Sequence, residues 1–184
     1  MSIDSMTTLF SLMTLAAAAA VVILVAGRLL ADQIPVLGQL VDWAVDNALL
    51  LAGVIAAIAT AGSLYYSEIA DFIPCKYCWY QRIAMYPLVL ILGVGAARRD
   101  YFSRLPALLL AVIGFGWSIR HITVQQWPSS GGSCSVTVPC SSPYVEEFGF
   151  ITIAWMAAGA FLLIITLLGL SASDDRVATK EEAS

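Results

Sequence analysis

Apolar positions along this chain run in long blocks instead of recurring at the period of a half-buried strand or helix. A helix needs about 20 mostly apolar residues to cross roughly 30 Å of hydrocarbon. Five stretches meet that requirement: residues 8–30, 47–66, 79–97, 105–127 and 148–170. The first carries no charge until Arg28 and the second carries none. The third is interrupted only by Gln81, Arg82 and Pro87, and the fourth meets charge at Arg120 beside His121. In the second stretch Gly53, Ala57 and Ala61 recur at the spacing that lets membrane helices approach closely. The pattern predicts an all-α integral membrane protein.

The polar segments divide the chain into three parts. Residues 1–46 hold the first span and its connection to the second, residues 47–170 the remaining four spans, and residues 171–184 a polar tail expected to be unstructured. Residues 1–7 contain no Lys or Arg, and the apolar run after them is too long for a cleaved signal, so a retained helix is expected. After Pro35, Val36, Leu37, Leu40, Val41, Ala44 and Val45 lie at helical spacing opposite Gln39, Asp42 and Asp46. That connection reads either as a linker or as a short amphipathic helix on the membrane surface with Trp43 at headgroup level.

Composition agrees with the pattern. Of 184 residues 60% are apolar and 12% charged, against about 25% charged in soluble domains, and mean hydropathy is +0.85. A soluble enzyme and a disordered chain are excluded. Nine Lys and Arg against thirteen Asp and Glu also lack the basic excess that nucleic-acid binding needs. The basic residues are unevenly placed. Arg28, Arg98, Arg99, Arg104, Arg176 and Lys180 fall on one side of the membrane, while the other side holds Lys76, with Arg82 and Arg120 at helix ends. The positive-inside bias makes the first side cytoplasmic, so the 67–76 and 128–147 connections face outward.

All four cysteines lie on that outward side, in two pairs: Cys75 with Cys78 just before the third span, and Cys134 with Cys140 in the 128–147 connection. Three readings compete. Structural bridges are inefficient for a C-x-x-C, which closes a tiny loop. A four-cysteine zinc site suits the first spacing better than the second. A thiol–disulfide relay accounts best for the neighbouring residues. Cys78 is expected at a helix start, where free N–H groups stabilise a thiolate, with Arg82 one turn deeper on the same face. An arginine just inside the membrane boundary is costly and usually functional, although one that snorkels to the interface is an alternative. His121, the only histidine, reads as an interfacial hydrogen-bonding residue or as a proton donor to a reduced acceptor.

At PCKYCWYQRIAMYPL the chain resembles the DsbB/BdbC family of membrane disulfide-generating quinone reductases. The likeness continues through Arg120-His121-Ile122-Thr123-Val124-Gln125, an outer loop with the second cysteine pair, and Phe148-Gly149-Phe150-Ile151-Thr152-Ile153. The short C-x5-C is closer to the BdbC branch. The resemblance implies a DsbB/VKOR-like four-helix transmembrane bundle, to which residues 8–30 add an extra N-terminal helix. It implies a quinone (ubiquinone or menaquinone) as electron acceptor, with Arg82 and His121 as its binding residues, and no metal. The implied partner is a soluble thioredoxin-fold thiol oxidase (DsbA- or BdbD-like), alongside the membrane lipid. By the same resemblance Cys134 is attacked by the reduced partner, Cys140 then attacks Cys75, and Cys78 passes two electrons to the quinone. A non-catalytic membrane protein with disulfides or zinc, and a vitamin K epoxide reductase-like enzyme, are the alternatives; the W-Y-Q-R continuation speaks against the latter.

Overall fold

The computed structural model describes residues 3–31, 33–127 and 139–181. Six helices follow one another: α1 (Ile3–Leu29), α2 (Pro35–Asp46), α3 (Ala48–Leu64), α4 (Lys76–Arg98), α5 (Arg104–Gln126) and α6 (Ile153–Glu181). A π-helical turn, Tyr65–Ile69, extends α3. Five of these units are long and apolar enough to cross a membrane, α2 being the exception. Helix α3 packs on α4 and α6, and α5 also packs on α4 and α6, closing a four-helix ring. Outside that ring α1 lies along α6, and α2 touches α1, α3 and α6. The architecture is the expected four-helix bundle with one further transmembrane helix.

Because lipid tails are as apolar as leucine, close packing holds membrane helices together. The bundle interior alternates small and large side chains: Ala52, Ala56, Ala107 and Ala111 against Leu88, Leu92, Phe161 and Ile164, all fully buried. The buried small row of α3 is Ala48, Ala52 and Ala56, whereas Ala57 and Ala61 are exposed. Gly53 of the expected row does approach α4, where a Cβ would lie 3.4 Å from Leu92, but the rest of that row turns outward, since Leu, Val and Ile flank both rows and only the neighbouring helices choose between them. Gly114 sits against the buried Phe161 ring, where a Cβ would overlap it.

Of the two readings of the connection after the first span, the helix holds: α2 covers Pro35–Asp46, with Val41, Ala44 and Val45 buried against the bundle and Trp43 exposed. Two boundaries differ from the sequence reading. The fifth span begins at Ile153, not 148, because Phe148 (φ 53°) and Gly149 (φ 79°) turn the chain left-handed. Glu147 and Ile151 close that turn with two backbone hydrogen bonds of 2.9 Å. At its other end α6 continues to Glu181, past the expected unstructured boundary. No Gly or Pro follows Gly169 to break the helix.

One end of the bundle gathers the chemistry. The Tyr66 hydroxyl lies 3.3 Å from the Thr7 hydroxyl, Thr8 donates to Glu147 at 3.0 Å, and Tyr144 donates to the Ile73 carbonyl at 3.1 Å. These contacts bring the start of α1, the 70–75 connection and the 139–152 segment together. At the opposite end Arg104 donates to the Ser171 carbonyl.

Candidate active site

Cys75 is the N-cap of α4, with extended backbone and a sulfur that accepts from the Cys78 N–H at 3.4 Å. The helix therefore starts at Lys76, and Cys78 stands in its first turn. The two sulfurs lie 3.0 Å apart and both cysteines are free. His121 reaches across from α5, its Nε2 3.6 Å from Cys75 Sγ, and its ring is buried. Hydrogen bonding from Cys78 holds the Cys75 thiol below its ordinary value of 9.0, the hydrogen bond and charge of His121 add to this, and burial opposes it. The contacts that favour a thiolate thus converge on Cys75, where the sequence reading placed them on Cys78. The cause is the helix boundary, which gives the free N–H to Cys75.

Cys140 is disulfide-bonded and buried, packed in one apolar cluster with Cys75, Tyr77 and Val124. The Cys140 sulfur is therefore sheltered beside Cys75 and not exposed to solvent. A sulfur held in a disulfide is no thiolate ligand, so a four-cysteine zinc site would first require that bond to be reduced. Cys134 lies outside the described residues. The ligand atoms of Cys75, Cys78 and His121 all lie within 4.8 Å of one another. Metal-bound histidines, however, almost always donate their second ring nitrogen to a partner, and buried His121 Nδ1 has none among the described residues.

On the other side of Cys78 opens a cavity of about 380 Å³, within the range of small-molecule sites. Its walls come from α1, α3 and α6, and Cys78, Gln81, Arg82 and Ser63 line it too. Arg82 does not snorkel freely. Its Nε donates to Ser63 Oγ and its Nη2 to the Ser63 carbonyl, both at 2.9 Å, and its guanidinium lies 5.4 Å from the Trp79 ring centroid. Gln81 is buried, and its Nε2 has no hydrogen-bond partner among the described residues. Phe10, Tyr66, Phe72 and Tyr144 form a continuous aromatic row along the cavity, with the last pair stacked at 4.8 Å.

The structure therefore brings Cys75, Cys78, Arg82, His121 and Cys140 to one end, with a division of place. Arg82 lines the cavity beside Cys78, whereas His121 is not among its lining residues and touches Cys75. Ser63 and the orphaned amide of Gln81 were missed. Serine is common in membrane helices, so Ser63 carries no signal until its neighbour across the helix pair is known.

Residues 46–171 match the family described as disulfide bond formation protein DsbB. The chain is 50% identical over 125 residues to the "Probable disulfide formation protein" of Oceanobacillus iheyensis, covering 66% of this chain and 86% of that one. It is also 50% identical over 119 residues to "Disulfide bond formation protein C" of Bacillus subtilis, covering 64% and 86%. A third relative, "Probable disulfide formation protein C" of Halalkalibacterium halodurans, is 43% identical over 123 residues, covering 65% and 89%. No solved structure matches the chain.

Proposed function

This chain belongs to the DsbB family of disulfide bond formation proteins, and from that premise we propose that it oxidises a soluble thioredoxin-fold dithiol partner outside the cytoplasm and delivers the electrons to a membrane quinone. It is a multi-pass membrane oxidoreductase of disulfide formation. The observation that carries the finer reading is the position of one cysteine pair between two neighbours: Cys75 packs with Cys140, and Cys78 lines the cavity with Arg82.

The residues fit a quinone. Its carbonyl oxygens are hydrogen-bond acceptors, and the buried Gln81 Nε2 is a donor without a partner among the described residues, beside a guanidinium anchored by Ser63. A bound quinone supplies a two-electron oxidising equivalent and leaves as the quinol. The protein's own residues do the rest. The partner thiolate opens the Cys134–Cys140 bond and Cys140 leaves as a thiolate. Cys140 then attacks Cys75, so the Cys75–Cys78 bond breaks and Cys78 leaves as a thiolate facing the cavity. The partner's second thiol displaces Cys134 and closes the partner disulfide, Cys134 re-forms its bond to Cys140 and frees Cys75, and the Cys75–Cys78 bond is restored as two electrons and two protons pass to the acceptor. Arg82 stabilises that anion and orients the acceptor, while His121 holds Cys75. The balance is partner dithiol plus quinone giving partner disulfide plus quinol.

Mixing the purified protein with quinone and a reduced thioredoxin-fold partner, without oxygen, tests this. Quinone absorbance is expected to fall one mole per mole of partner disulfide formed, and Cys78→Ser is expected to abolish the change while the fold persists. Partner oxidation without quinone loss would overturn the reading. One zinc per chain in metal analysis of the reduced protein would favour a metal site at Cys75, Cys78 and His121 instead.

A further inference from the structure

Helix α1 lies wholly before the segment that matches the family, yet it forms part of the cavity wall at the redox site. Phe10, Met13, Thr14, Ala17 and Ala20 all line that cavity. Their spacing of three, four, seven and ten residues from Phe10 is one stripe along a helix, rising about 15 Å. Opposite the stripe stand Ile55, Ala59 and Gly62 of α3 and Met156, Ala157 and Ala160 of α6. Phe10 seats against Gly62, where a Cβ would lie 2.9 Å from the ring, and a Cβ at Gly159 would lie 3.1 Å from the Thr14 methyl. The helix is thus fitted to α3 and α6 at its upper half, while its run of alanines, Ala16 to Ala20, leaves space below.

The cavity is polarised along its length. Ser63, Cys78, Gln81 and Arg82 supply polar groups near the cysteines, and the wall from Ala17 and Ala20 across to Ile55 and Leu163 is apolar. Such a shape suits an amphiphile with a hydrogen-bonding ring at one end and a hydrocarbon chain at the other. Resting on the quinone reading above, we propose that α1 is the tail wall of the acceptor site: the Phe10–Ala20 stripe encloses the isoprenoid chain of the quinone between α1, α3 and α6, and so selects for acceptors that carry one. The ring is held by Gln81 and Arg82, and α1 contributes to the tail alone.

Full-length Ala17→Trp places a large ring in this space; Ala18→Trp, at an exposed position of the same helix, is the control. Two probes share one ring, 2,3-dimethoxy-5-methyl-1,4-benzoquinone, with and without a ten-carbon tail, and Kd by equilibrium dialysis is read beside KM. Ala17→Trp is expected to raise Kd and KM for the tailed probe about tenfold or more and to leave the tail-less probe within twofold, with Ala18→Trp changing neither. Equal losses for both probes overturn the proposal and leave the quinone reading standing. If the wild-type protein reduces neither probe, the quinone reading falls and the proposal with it. A tailed quinone bearing a terminal diazirine, photolysed on the wild-type protein, removes any dependence on the variant's folding. Label on residues 10–20 or on the facing residues of α3 and α6 supports the wall; label confined elsewhere overturns it.

Discussion

His121 Nε2 stands 3.6 Å from Cys75 Sγ, the two residues coming from different helices and lying 46 positions apart in the chain. This contact joins the only histidine to the cysteine that caps α4, and it stabilises the reduced pair in its thiolate form. A stabilised reduced form makes a dithiol pair more oxidising. Removing a hydrogen bond to a charged group costs about 1.5–3 kcal/mol. His121→Ala is therefore expected to make the Cys75–Cys78 pair more reducing by roughly 30–60 mV, measured by equilibration in glutathione buffers. An unchanged potential would show that the histidine does not act on Cys75.

The same contacts set a pH dependence. The folded Cys75 thiol titrates below its ordinary value of 9.0, so the thiolate stabilises the reduced fold. That contribution is present in full above 9.0 and is lost as pH falls through the lower, folded value. Thermal unfolding of reduced wild-type protein and Cys75→Ser should therefore differ most at alkaline pH and converge toward acid. A difference that grows on acidification would contradict the assignment.

Arg82 is held by both the hydroxyl and the carbonyl of Ser63. Ser63→Ala removes one of those bonds, which involves a charged group and so is worth about 1.5–3 kcal/mol, and is expected to raise KM for quinone roughly tenfold or more. Arg82→Ala should impair quinone reduction far more. Arg82→Lys should recover little, since an ammonium does not reproduce the two-pronged grip. Steady-state kinetics with a short-chain quinone separates the three variants.

Gly114 and Gly116 offer an internal comparison on α5. A Cβ at Gly114 overlaps the Phe161 ring, which is fully buried, whereas one at Gly116 meets nothing within 4 Å. Gly114→Ala is expected to destabilise the bundle by about 1–3 kcal/mol through overpacking, seen as a lower unfolding temperature in detergent. Gly116→Ala should be neutral or slightly stabilising, because alanine is the better helix former. Equal effects would mean that the α5–α6 contact yields easily.

Five spans, the two cysteine pairs and the arginine one turn below Cys78 were legible along the chain, because long apolar blocks and residue spacing are one-dimensional signals. Segment boundaries were less so. The start of α6 depends on two left-handed residues, Phe148 and Gly149, and only the glycine advertises that conformation. The buried alanine row of α3 differs from the expected one by a rotation about the helix axis, which an almost uniformly apolar helix does not encode.

By itself, then, the amino-acid order determined that this is a membrane bundle with its cysteines in two pairs at or between the ends of its spans, since hydrophobic length and cysteine spacing suffice for that. Which groups meet was decided by tertiary packing alone: His121 on Cys75, Ser63 on Arg82, Cys140 in the cluster around Cys75, and α1 along the cavity. Each of these contacts joins separate segments, and their approach depends on how helices of nearly uniform apolarity rotate and seat their small residues against one another.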